Sequence, residues 1–295
     1  MRGATGASPV GLTWILTRRG LSQLIVDATA EEILVTGRIY ELVPDGKELL
    51  PGIEAIEAMS FGSYAAMAAA VDTGLPPGTG ALLYDPEHWQ FTPMNEQLDV
   101  GGYVSLARDL VSSRGLELIA APAVTLTKVL GPAPRGWAPA PVVEAATRSG
   151  TTSSLAAGRR HQPSSQGGWL SRALRGRDRY DDYLACGLAS LAAPADVVVV
   201  QAQQAQRDHV RYQRFVEGAV AQVREVNRSA RVLAGVSTNP PGDPVTAAQL
   251  AAAMRSVLHL VDGFWLNVPS PGPRCPTCNP SRPDIGIAAL RTVFA

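Results

Sequence analysis

From Ala81 onward the chain alternates short apolar runs with stretches of helical period. Ala81-Leu82-Leu83-Tyr84, Leu116-Glu117-Leu118-Ile119-Ala120-Ala121, Val197-Val198-Val199-Val200, Val232-Leu233-Ala234-Gly235-Val236 and Gly263-Phe264-Trp265-Leu266-Asn267 each read as a buried strand. Near-continuous apolar runs of this length suit parallel strands covered on both faces. Between them, apolar residues recur at helical spacing over 102–113, 180–191 and 208–227, and again after a Thr246 N-cap at Leu250, Met254, Val257, Leu258 and Val261. Residues 285–294 can close as a last helix.

Before Ala81 the signal is weaker. Residues 1–23 are mixed. Leu24-Ile25-Val26 and Ile33-Leu34-Val35 are the first strand-like runs, read either as two strands or as a strand and the edge of a helix. Residues 60–71 read as helical, and a Gly/Pro-rich connector over 74–80 leads into the Ala81 strand.

Strands alternating with helices over short connections predict parallel βα units. Five units are secure and one or two precede them, so the expected fold is a single α/β domain over 1–295. It is a TIM-like (β/α) barrel, with an irregular barrel or one of fewer than eight strands admitted. An open doubly wound sheet is the alternative. Against it, no glycine-rich phosphate turn follows a strand, and Gly78-Thr79-Gly80 precedes its strand. Residues 131–179, rich in Pro, Gly, Ser and Arg, interrupt the rhythm. They read as a low-complexity insertion, disordered or forming a lid. Arg172, Arg175, Arg177 and Arg179 beside Asp178, Asp181 and Asp182 suggest a local ion-pair cluster or a grip on an anionic ligand.

Composition narrows the partners. The chain has 295 residues, 46% of them apolar and 18% charged, with formal net charge zero. No global field draws it to nucleic acid or anionic membrane. No apolar run approaches the roughly 18 residues of a membrane span, so a cytoplasmic protein acting on a small molecule is expected, its oligomeric state unread. Three cysteines, Cys186, Cys275 and Cys278, make no disulfide framework. Cys275-Pro276-Thr277-Cys278 has half-knuckle spacing without a second pair, and reads as a loop clip made by a disulfide or weak metal binding.

In a βα barrel the C-terminal strand ends build the active site. Here they carry Asp85, Glu87, His88 and Trp89, then Thr125 and Thr127, then Gln201 and Gln203, then Ser237, Thr238 and Asn239, then Asn267. A strand running through Glu87 would put both carboxylates on one side, roughly 6.6 Å apart at Cα. Close carboxylates push their pKa values apart, giving one acid and one base or stabiliser. Asp85, Glu87 and His88 are thus the catalytic candidates; a divalent metal at Asp85 and Glu87 is the cofactor alternative to none. Asp85 as a turn cap and His88 as a hydrogen-bonded structural residue are the plainer readings. Trp89, Gln201, Gln203, Ser237, Asn239, Trp265 and Asn267 are the substrate-binding candidates. Trp89, Phe91 and Trp265 would be stacking walls or rim packing, and the amides suit hydroxyls or carbonyls. Glu96 is the nearest spare acid, and Asp262 falls at the stability end of its strand.

Tyr84-Asp85-Pro86-Glu87-His88-Trp89 with Phe91-Thr92-Pro93, Ser237-Thr238-Asn239-Pro240, Phe264-Trp265-Leu266-Asn267-Val268-Pro269 and the CxxC together resemble a family of uncharacterised bacterial proteins regarded as glycoside-hydrolase-like barrels. The likeness covers roughly residues 75–295 and carries no assigned reaction. Asp85-Pro86-Glu87 is also similar to the last two acids of the chitinase-type Asp-x-Asp-x-Glu strand, with Leu83 in the earlier acid position. The resemblance implies hydrolase-like acid–base chemistry. A non-hydrolytic cyclase, lyase or isomerase using one acid in an aromatic pocket, and a non-catalytic sugar-binding barrel, are the competing readings.

Overall fold

The computed structural model describes residues 11–44, 47–131, 178–242, 244–272 and 278–295. Eight parallel strands follow chain order around a closed barrel. They are β1 (Thr13–Thr17), β2 (Arg38–Leu42), β3 (Ile56–Phe61), β4 (Thr79–Tyr84), β5 (Glu117–Ala120), β6 (Val197–Val200), β7 (Arg231–Ser237) and β8 (Gly263–Asn267). The pairing of Ile15 with Trp265 closes β1 onto β8. The barrel is therefore a complete TIM-like one.

Side-chain alternation along the strands makes two cores. Ala81, Leu83, Ile119, Ala121, Val197, Val199, Leu233 and Trp265 fill the barrel. Residues of the opposite parity, such as Leu82, Tyr84, Leu118, Val198 and Phe264, pack under the surrounding helices. The Asp208 side chain caps the His209–Val226 helix by accepting from Val210 N and Arg211 N, and a capping box of Thr246 and Gln249 starts Ala247–Val257. Such caps contribute about 1 kcal/mol each.

The N-terminal third departs from the sequence reading. Leu24-Ile25-Val26 and Ile33-Leu34-Val35 are not strands: they end the helices Arg18–Leu24 and Ala28–Val35. Thr17 accepts from Gly20 N and Asp27 from Ala30 N, which starts each helix and decides the local competition. The strands there are β1, β2 and β3. Helix starts only at Tyr64, capped by Ser63, and residues 56–61 before it are strand. The single helix expected over 180–191 is two, Arg179–Ala185 and Leu188–Ala192, split where Gly187 adopts φ 66°.

The barrel is irregular between β2 and β3, where the described residues form no helix. Glu41, on the outward side of β2, is fully buried there. It accepts from Arg18 Nη1 (3.1 Å) and from Leu50 N (3.2 and 3.1 Å to its two oxygens). Burial pushes its pKa up, partly offset by those two donors.

Polar pairs close the opposite, N-terminal end. Arg38 and Arg231 both bind Glu117, at 2.6 and 2.7 Å, and Tyr40 donates to the same carboxylate. Against the cost of burial, these donors hold the Glu117 pKa below the usual range. Asp262 joins this end, receiving Arg224 Nη2 and Val232 N. Arg211 and Arg214 of the His209–Val226 helix pair with Asp178 and Asp181. Arg172, Arg175 and Arg177, and the expectation of a disordered stretch or lid over 131–179, fall almost wholly outside the described residues. No helix among the described residues is long and apolar enough to cross a membrane.

Candidate active site

The inward alternation of β4 continues past its last strand residue. Asp85 N donates to Phe61 O and Ala121 N to Tyr84 O, both at 2.9 Å, so Asp85 keeps strand pairing and follows Ala81 and Leu83 toward the barrel axis. Gln201 does the same after Val197 and Val199. Its Nε2 donates to Asp85 Oδ1 (2.6 Å) and to Ala121 O (2.7 Å). The strand does not run through Glu87. Pro86 has no N–H to give the ladder, and Glu87 N instead donates to Thr92 Oγ1 at 3.2 Å.

The two carboxyls still sense each other. Burial, then the charge of Glu87, pushes the Asp85 pKa well up, and the Gln201 hydrogen bond only partly opposes this. Burial also raises Glu87. Desolvation disfavours ionisation of either group, and ionising one disfavours the other, so the pair retains a proton to higher pH than free carboxylates do.

The loop beyond is tightly tied. Thr92, 2% exposed, donates to Gly62 O and accepts from Trp89 Nε1 at 2.8 Å. Gln97 Nε2 donates to the Trp89 and Thr92 carbonyls, and Gln97 Oε1 lies 2.9 Å from His88 Nδ1. His88 N donates to Thr125 Oγ1. Thr127 turns away, donating to Val124 O. Trp89 stays 37% exposed, with Phe91 edge-on to it at 5.1 Å. Glu96 is not a spare acid. It is 1% exposed and accepts from Tyr64 N, Ala65 N and Tyr84 Oη.

On the far side, Trp265 lies in the barrel interior, 9% exposed, and its indole N–H is buried without a hydrogen-bond partner among the described residues. Gln203 lies over Gly235, beside Trp265 in register: a Cβ there would stand 2.9 Å from Gln203 Nε2. Ser237 and Asn267 are register partners at the ends of β7 and β8. Ser237 is buried, and its Oγ accepts from Asn239 N. The Asn239 amide is directed to Pro280 O, and Asn279 packs a further amide against Asn239 and Pro240. Asp85, Glu87, Gln201, Gln203, Trp265 and Asn267 therefore lie at one barrel mouth, while Asn239 is engaged by the 278–281 segment.

Three polar residues were missed by sequence reasoning. Thr92 and Gln97 hold the β4 loop, and Gln206, fully buried, exchanges two hydrogen bonds with the Ser237 backbone. An amide in a short polar helix or turn gives no sequence signal of burial.

Two cavities lie away from the mouth. One, of about 300 Å³, sits at the N-terminal end among Arg108, Glu117, Asp196 and Arg231, whose charges already pair with one another. The other, of about 480 Å³, is lined by Ala28, Glu31, Glu32, Val35, Gly52 and Glu54. Among the described residues no group of three or more His, Cys, Asp or Glu is placed to hold a metal ion. Cys278 is disulfide-bonded, Cys186 is buried with its Sγ donating to Gly131 O, and Cys275 lies outside the described residues.

No family model matches the chain, and no curated protein does. Among solved structures it is similar to Rhizobium etli pyruvate carboxylase (T882A, crystallized without acetyl coenzyme-A), with 11% identity and a TM-score of 0.39. That match covers 96% of this chain and 23% of the other.

Proposed function

We propose that the chain is an enzyme working by general acid–base chemistry at the C-terminal mouth of its barrel, hydrolase-like in the glycosidase manner, on a small sugar-like substrate. The observation that carries this reading is Asp85: a carboxyl turned into the barrel, held by an amide, with a second carboxyl close enough to raise its pKa. Among the described buried carboxyls, Glu41 meets Arg18 and Glu96 meets the first N–H groups of a helix, whereas Asp85 meets the neutral Gln201 amide. A pair that keeps a proton supplies a donor for a leaving oxygen, and its ionised form stabilises developing positive charge. Glu87, at the loop edge, is the proton donor or base, and Asp85 its electrostatic partner. Trp265 offers a buried N–H and an apolar face, while Gln203 and Asn267 supply amides for hydroxyl groups. The resemblance to glycoside-hydrolase-like barrels agrees with this assignment.

The test is turnover of a panel of 4-nitrophenyl glycosides by the wild type and Glu87→Gln. A loss on the order of 10²–10⁴-fold in kcat with KM retained is expected. Unchanged turnover removes Glu87 from the mechanism.

One observation favours a second reading. Glu96 is committed to the backbone and to Tyr84, so among the described residues the mouth holds no independent second acid of the kind a two-carboxylate hydrolase uses. A cyclase, lyase or isomerase needs only the Asp85–Glu87 pair. Product formed in ¹⁸O-labelled water separates the two: hydrolysis incorporates label and the alternative does not.

A further inference from the structure

The loop after β4 sets the Gln97 side-chain amide against a histidine ring. Gln97, 3% exposed, directs Nε2 at two backbone carbonyl oxygens, those of Thr92 (2.7 Å) and Trp89 (3.0 Å). A carbonyl oxygen only accepts, so both must face the NH2 end of the amide, and its orientation follows from the backbone alone. Both N–H groups are then spent. What remains toward His88 is Oε1, at 2.9 Å from Nδ1. Because Oε1 also only accepts, Nδ1 must carry the hydrogen. A neutral imidazole has one N–H, so the lone pair is on Nε2. His88 is exposed, and no described residue bonds to Nε2.

We propose that Gln97 is a positioning residue that holds neutral His88 in the Nδ1–H tautomer, leaving Nε2 as a proton acceptor on the rim of the mouth. The chemical use of that acceptor rests on the acid–base reading above; the tautomer does not. In that use an O–H bond of a substrate hydroxyl or of water breaks, an Nε2–H bond forms, and the positive charge stays on a ring still anchored through Nδ1–H to Gln97 Oε1. His88 thereby complements the carboxyl pair next to it, one partner keeping a proton and the other taking one. Thr92 and Trp89 contribute only their carbonyls, yet those carbonyls are what orient the amide. The backbone N–H of His88, which donates to Thr125 Oγ1, fixes the main-chain end of the same residue.

The neutral histidine side chain in water favours the Nε2–H form, so the tautomer is a readout that packing alone would not reverse. The experiment is a long-range ¹H–¹⁵N correlation of the full-length protein, labelled at histidine, at alkaline pH, with the His88 signals assigned by a His88→Gln variant. Wild type is expected to show Nδ1–H as the dominant form. Gln97→Met, which fills the same space without an acceptor, is expected to return the ring to mostly Nε2–H, and Gln97→Glu to keep Nδ1–H. A wild-type spectrum dominated by Nε2–H overturns the proposal even should both variants fail to fold, and so does a folded Gln97→Met that keeps Nδ1–H. Full activity of Glu87→Gln would sink the acid–base reading and leave this spectrum as it is.

Discussion

Gln201 Nε2 donates at once to Asp85 Oδ1 and to the Ala121 carbonyl, at 2.6 and 2.7 Å. One amide thus ties together the residues that directly follow β4, β5 and β6. Both of its N–H groups are committed to Asp85 and the Ala121 carbonyl, so the amide holds that carboxyl in place. The sequence expectation had placed it among the substrate-binding amides, and its contacts give it this additional task.

Removing that donor is expected to move Asp85 further from ordinary carboxylate behaviour. The Gln201 bond is the one influence that lowers the Asp85 pKa, so Gln201→Met is expected to raise it. The carboxyl ¹³C titration of Asp85 reads this directly; an unmoved or downward midpoint would rule out the assigned role. Leaving the Ala121 carbonyl unpaired adds a stability loss of about 1–3 kcal/mol.

The carboxyl pair also sets a sign for stability against pH. Asp85 and Glu87 both have pKa values raised by burial in the folded state. Below the unfolded carboxyl value of about 4 both states are protonated and the folded state carries no penalty. As pH climbs from there through the raised folded values, the unfolded state ionises more readily and stability falls. Asp85→Asn and Glu87→Gln each remove their own share of this dependence, and Asn still offers Gln201 an acceptor oxygen. Thermal melts from pH 4 to pH 8 are therefore expected to show each variant gaining on wild type as pH rises; an offset independent of pH would contradict the burial argument.

What the sequence made legible follows from how each element is stabilised. β4 to β8 announce themselves because the barrel and the helices bury both of their faces, leaving apolar runs such as Val197–Val200. β1 to β3 are equally strand-like but carry Arg38, Glu41 and Glu57, charges that the fold satisfies through distant partners. No local pattern shows that Glu41 will meet Arg18 and Leu50 N. The mouth was legible at Asp85, where an acid ends an apolar run at the parity of Ala81 and Leu83. Glu96 reads in the sequence as the nearest spare acid, and only the tertiary structure shows it holding Tyr64, Ala65 and Tyr84. The Asn239 amide was likewise read as facing a substrate, and its partner Pro280 is forty-one positions away.

Glu96 yields a prediction that separates a structural acid from the catalytic candidates. Its oxygens receive the first amides of the Tyr64–Thr73 helix and the buried Tyr84 hydroxyl. Glu96→Ala strands those donors in a site that is 1% exposed, and a loss of about 3 kcal/mol is expected. Urea denaturation should show a lower midpoint at unchanged slope. Tyr84→Phe, which deletes one donor together with its need for a partner, is expected to cost only about 1 kcal/mol. A Glu96→Ala variant as stable as wild type would return Glu96 to the list of available acids.

The last prediction concerns room at the mouth. Gly235 lies between Gln201 on β6's extension and Trp265 on β8, and the Gln203 side chain occupies the space its missing Cβ leaves. A methyl there would meet Gln203 Cδ and Nε2 at 2.9 Å and the Val200 carbonyl at 3.1 Å. Gly235→Ala alone is therefore expected to destabilise by about 1–3 kcal/mol, the usual range for overpacking. Gln203→Ala in the same background removes the closer of the two contacts and leaves the backbone one. A double-mutant cycle should thus show a favourable coupling of about 1 kcal/mol, with the combined variant more stable than the sum of the single effects. Additive effects would mean that Gln203 swings clear without cost, and that the floor beside Trp265 is not set by its side chain.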